Sequence, residues 1–223
     1  QGKELGVTQV DGVMGVQMFT VRREQGRLAQ FAPVIRAFLE REGADSAWRP
    51  GLALACADVG DLQEARKQFG ILADDNFSAI AQDSLRQTCL CYLAEVCDAL
   101  GDVERAGELY DMLLPYAELV LVVGNATACL GATARYLGQL ATVMQRYGDA
   151  ERHFRFADDL NRRTGAAPWL AHSNYEFARM LIQRGDSGDS DRAVDLLADA
   201  EHAARELGMA YLLGKLGAVR DTL

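Results

Sequence analysis

The 223-residue chain is 49% apolar and 25% charged with only four prolines, which excludes a disordered polymer and allows one large domain or a repeat array. Its net charge of −9 is the reverse of the basic surplus that phosphate contacts demand of a nucleic-acid binder. No apolar run approaches the roughly 18 residues needed to span a bilayer, and no basic-then-apolar leader is present, so neither a membrane nor a secretory route is expected.

Residues 8–41 are predicted to form an initial helix pair, with Gly26 in FTVRREQGRLAQF as a degenerate turn. Beyond it a Gly-Asp dipeptide recurs at Gly60-Asp61, Gly101-Asp102, Gly148-Asp149 and Gly185-Asp186. From Gly26 onward the successive glycines stand 34, 41, 47 and 37 residues apart. Each unit has one grammar. A stretch with helical apolar spacing ends at glycine as a left-handed C-cap, and aspartate then caps a second helix. Ala53, Ala94, Ala141 and Ala178 lie seven residues before their glycines, preceded by Leu52, Leu93, Leu140 and Phe177. Ala65 and Ala106 fall five residues after, and Phe69 and Tyr110 nine after. Small and large residues alternating at fixed offsets mark where two helices approach closely. The pairs are expected over 44–73, 81–114, 126–164 and 168–207, with a last unpartnered helix over 209–221.

This pattern resembles the tetratricopeptide repeat with stretched periods. It predicts one all-α domain over 1–223, an α-α superhelix of antiparallel pairs. The chain begins at Gln1 and stops within a helical pattern, so it is expected to be a piece of a longer protein. ARYLG (134–138), YGDAERHF (147–154) and APWLAHSNYEFARML (167–181) resemble more closely the C-terminal helical regions of large bacterial signalling ATPases. Those include LuxR-type transcriptional regulators and adenylate-cyclase or kinase fusions. The resemblance implies a cytoplasmic, non-catalytic module that gates a neighbouring output domain.

LVLVVGNATACLG (119–131) has the look of a strand entering a phosphate loop. However, six residues separate Gly124 from Gly131 where the loop motif has four, Ala132 stands in place of lysine, and no second strand is evident to build a sheet. The expected reading is an apolar junction between helix pairs, closed by Pro115 and followed by a helix capped by Asn125. Gly131 would permit close helix approach.

Other motifs carry no catalytic chemistry. GDSG (185–188) has the letters of a serine-protease nucleophile but sits in a helical chain, and DSGDSD (186–191) lacks the calcium-loop ligand order. His153, His172 and His202 are scattered, and Cys56, Cys89, Cys91, Cys97 and Cys129 lack CxxC spacing, which predicts buried thiols and no metal centre. Arg152, Arg155, Arg162 and Arg163 interleave with Glu151, Asp158 and Asp159 as a solvated face. No cofactor is expected, and no enzyme.

A concave groove lined by the first helices of the pairs is the expected working surface. Thr88, Cys91, Glu95 and Asp98 face it from one helix. Arg135, Gly138, Thr142, Gln145 and Arg146 face it from the next, and His172, Tyr175, Arg179 and Gln183 from the last. The expected ligand is a protein, a peptide or a small anion clamped near Arg135, Arg179, His172 and Tyr175. The alternative is a self-association scaffold using an exposed final helix (Met209–Val219).

Overall fold

A computed structural model describes residues 14–30, 33, 35, 37, 48–74, 76–124 and 126–220. The expected helical segments at 8–13 and over much of 31–47, the Asn125 cap and the helix end at Asp221 lie outside the described residues.

Helix α1 covers 14–24, followed by a single 3-10 turn at Leu28–Gln30. Then come α2 (Arg49–Asp58) and α3 (Leu62–Ala73), and α4 (Arg86–Leu100) and α5 (Val103–Leu113). Strands β1 (Val120–Val123) and β2 (Ala128–Ala132) intervene. The chain continues with α6 (Ala134–Val143) and α7 (Tyr147–Arg163), α8 (Ala167–Arg184) and α9 (Asp189–Leu207), and α10 (Ala210–Arg220). The chain is therefore mostly helical, with one small sheet.

The expected turn chemistry holds in the first two Gly-Asp units. Asp61 and Asp102 accept hydrogen bonds from the backbone N–H groups of Glu64 and Arg105 at 3.1 and 3.2 Å. Gly101 and Gly185 close α4 and α8 in the left-handed conformation, which costs glycine nothing. The third unit departs from the pattern. Gln145 takes the left-handed turn at φ +58°, and Gly148 and Asp149 lie inside the first turn of α7. In the fourth, Gly188 rather than Asp186 caps α9, and the Asp189 carboxylate accepts from the Asp186 N–H at 3.0 Å.

Packing runs between neighbours. The first helices of successive pairs touch in the series α2, α4, α6, α8, α10, and each second helix touches its own partner and the next first helix. Ala53, Ala94, Ala141 and Ala178, the small residues at the repeated offset, are all fully buried, as are Ala65 and Ala106. Gly138 serves the same purpose on α6, because a Cβ there would stand 2.8 Å from the Phe154 ring of α7. The final helix is not the exposed surface expected of it. Met209, Leu212 and Leu216 are buried, and α10 packs on α8 and α9.

The junction after α5 is the exception in a mostly helical chain, and it overturns the expectation that no second strand is present to build a sheet. Val120–Val123 and Ala128–Ala132 pair as an antiparallel hairpin, with Val122 opposite Cys129. Alternation gives the cause, since Leu121 and Val123 point into the core while Val122 faces outward. Helix α6 consequently begins at Ala134, not near 126, and Cys129 is exposed on the hairpin, whereas Cys56, Cys89, Cys91 and Cys97 are buried. Gly131, at φ +75°, lies so close to α8 that a Cβ would come within 2.3 Å of the Trp169 side chain. Asn161 on α7 fastens the strand, its Oδ1 accepting from the Ala132 N–H at 2.9 Å and its Nδ2 donating to Ser173.

Candidate functional site

Helix α1 lies across the first helices of the pairs, touching α2, α4 and α8. Phe19 meets Tyr92 on α4 with ring centroids 5.6 Å apart, and Gln17 donates to the Thr127 carbonyl of the hairpin turn at 3.1 Å. Arg23 forms ion pairs with Asp58 on α2 and Glu95 on α4. Glu24 bonds His172 on α8 at 3.0 Å. A surface expected as an open groove is thus held by the chain's own helix.

Beneath this layer the predicted groove residues pair with one another. Arg135 is 1% exposed and donates to Glu95 at 3.1 Å, its guanidinium lying 4.1 Å from the Tyr136 ring centre. Burial pushes the Glu95 carboxyl up, but Arg23 and Arg135 outweigh it and hold it far below the usual carboxylate range. Arg179 Nη1 joins Asp98 at 2.8 Å and Glu176 at 2.6 Å. Glu176 is likewise opposed by burial, yet Arg179, Lys215 and Arg135 bring it down to about 2. Asp98 ends on the other side of the balance, since burial outweighs Arg179 and raises it.

A cavity of about 320 Å³ lies at the centre of this network. Its lining draws on α2, α4, α6, α8 and α10 alike, with Asp58, Glu95 and Asp98, Gln139, Tyr175 and Arg179, and Tyr211 and Lys215. Four of the predicted site residues line it: Glu95, Asp98, Tyr175 and Arg179. His172 and Arg135 are buried in the surrounding network. Thr142 bonds back to the Gly138 carbonyl at 2.8 Å, which leaves it inside α6. Arg146 and Gln183 do not join the cavity. Arg146 pairs with Asp149 at the start of α7, and Gln183 is exposed near the end of α8. The basic stretch on α7 is neutralised on its own helix by the pairs Arg155–Glu151, Arg162–Asp158 and Arg163–Asp159.

Four polar lining residues, Asp58, Gln139, Tyr211 and Lys215, escaped sequence reasoning. Gln139 is 2% exposed, and its amide nitrogen and oxygen have no hydrogen-bond partner in the protein. Lys215 left a visible trace as a lone cation within YLLGKLGAV. Its Nζ stands 3.6 Å from Glu176 and 5.1 and 5.3 Å from the Tyr175 and Tyr211 ring centres. Burial lowers the Lys215 ammonium pKa, but Glu176 and the two tyrosines more than restore it, keeping it charged.

No protein-family model, curated protein or solved structure matches the chain. Among the described residues no helix is long and apolar enough to cross a membrane.

Proposed function

We propose that the chain is a tetratricopeptide-like superhelical stack acting as a non-catalytic effector-binding module of a bacterial signalling protein, with a small polar molecule as its ligand. The observation that carries this reading is the central cavity, because all five inner helices contribute to its wall. A molecule seated there touches α2, α4, α6, α8 and α10 at once, so its binding free energy depends on how these helices are arranged. That dependence is what a module needs to pass occupancy to a neighbouring domain. Occupation of the inner face by α1 favours a small effector over the peptide or protein ligand expected of an open groove, and its volume is of the size class that holds small ligands.

Thermal unfolding of the full chain against a pool of small polar metabolites, and separately against a peptide pool, tests the proposal. A ligand at about 100 times its Kd adds about 2.7 kcal/mol, a rise of roughly 5–10 °C for a chain of this size. The small-molecule pool is expected to give that rise and the peptide pool none. A rise confined to peptides overturns the reading.

A further inference from the structure

The cavity wall carries both signs of charge, and the hydrogen-bonding capacity still open on it defines the ligand. Asp58 and Glu95 are spent, since Asp58 receives Arg23 and the Tyr211 hydroxyl, and Glu95 receives Arg23 and Arg135. Glu176 behind the wall is spent on Arg179 and Lys215. Besides the Tyr175 hydroxyl and the Arg179 donors other than Nη1, three groups remain open. Asp98 gives only Oδ2 to Arg179, leaving Oδ1 open. Lys215 has one carboxylate neighbour, at 3.6 Å, for three N–H donors. The Gln139 amide, at the wall and buried without a partner, has an acceptor and donors unsatisfied.

An unpartnered buried amide costs stability, so its presence on a wall shared with an open carboxylate and an open ammonium points to a ligand that satisfies it. Around the cavity Arg23, Arg135, Arg179 and Lys215 face Asp58, Glu95, Asp98 and Glu176, four cations to four anions. In a wall whose charges balance, a ligand with net charge leaves an uncompensated ion, whereas a zwitterion does not. Sugar recognition usually needs a free aromatic face, and the faces of Tyr175 and Tyr211 are turned to Lys215. At about 30 Å³ per water, the volume corresponds to about ten waters, the scale of a free amino acid or a very short peptide.

We propose that the cavity binds a small zwitterion of the free α-amino-acid class, its ammonium received by Asp98 and its carboxylate by Lys215 and Gln139. The assignment rests on the effector-binding reading and sharpens it. The ammonium takes the open Asp98 oxygen and the Gln139 carbonyl, and the carboxylate takes the Lys215 N–H donors and the Gln139 NH₂. Asp98, Lys215 and Gln139 are then matched by one molecule.

Isothermal titration calorimetry on the full chain with the free amino acids one at a time, then with N-acetylated and C-amidated forms of any binder, tests this. The expected result is saturable binding by a subset of free amino acids. Loss of either terminal charge is expected to weaken it by about 10- to 100-fold, the effect of one hydrogen bond to a charged group. Gln139→Leu and Asp98→Asn are each expected to weaken it by a similar factor. Circular dichroism separates lost binding from lost folding, and Asp98→Asn keeps the shape of the wall. Binding by sugars or by a simple carboxylate, lost in the same two variants, overturns the zwitterion and leaves the effector reading standing. Amino-acid binding that persists in both variants overturns the assignment to this cavity. Absence of binding by all these probes in a folded chain overturns both readings.

Discussion

Tyr211 on α10 donates its hydroxyl to Asp58 on α2, 153 residues away in sequence. The last helix of the stack therefore meets the first complete pair, and Arg23 of α1 bonds the same carboxylate. Closure of this kind converts a chain of neighbour contacts into a body with an interior. Tyr211→Phe removes one hydrogen bond to a charged group and is expected to cost about 1.5–3 kcal/mol in urea unfolding. Amide exchange should accelerate in α1 and α10 ahead of α3 and α5.

Glu95 is the junction of the buried ions, holding Arg23 and Arg135 together. Glu95→Leu strips Arg135 of its carboxylate partner, and about 3–5 kcal/mol of stability is expected to go with it. The double variant Glu95→Leu, Arg135→Leu should cost less than the sum of the two single changes, because the stranded charge leaves with its partner. Additive costs would show that the two groups do not act as a pair.

Gly131 pins the hairpin against α8. Gly131→Ala meets two penalties, a left-handed backbone and a Cβ driven into Trp169. Together they are expected to cost about 2–5 kcal/mol, read from the unfolding midpoint. Gly60→Ala has the same backbone strain but an open space around its Cβ, and should cost about 1–2 kcal/mol.

Stability should fall in two stages as acid is added. Burial beside Arg152 lowers the His153 pKa to about 4 from its usual 6.5, so the unfolded chain takes up this proton first. His153 therefore contributes stability above pH 6.5 that drains away between 6.5 and 4. Glu95, Glu176 and Glu24 are held below the usual glutamate value of 4.5, so their contribution is complete above that value and is lost as the pH drops beneath it. Asp98 works in the opposite sense, being raised, and offsets part of this second loss. Urea midpoints from pH 7 to 3 should show both stages, and His153→Gln should flatten the first alone.

The helix pairs were legible because interhelical distance dictates small residues, and Ala53, Ala94, Ala141 and Ala178 report that distance directly. The hairpin was not legible. A short apolar run such as Leu119–Val123 reads equally as a strand or as a packed junction until its partner is found, and Ala128–Ala132 looks like the start of a helix. Gly148 misled for a related reason, since Gln145 accepts the left-handed turn three residues earlier. The inner-face offsets located Glu95, Asp98, Tyr175 and Arg179 on the cavity wall. They gave no sight of its closure, because Arg23–Glu95, Glu24–His172 and Tyr211–Asp58 join segments 72 to 153 residues apart. Lys215 was the one available sign, a cation with no reason to interrupt an apolar helix unless a buried carboxylate awaits it.

The most direct test of the account is the free chain's urea unfolding with Gln139→Leu set beside wild type. An amide kept for a ligand burdens the empty protein, so the variant is expected to be as stable as wild type or more stable by about 1–2 kcal/mol, while binding the effector about 10- to 100-fold more weakly. A loss of about 2 kcal/mol or more in the variant would contradict the account, because Gln139 would then be serving the fold and not a ligand.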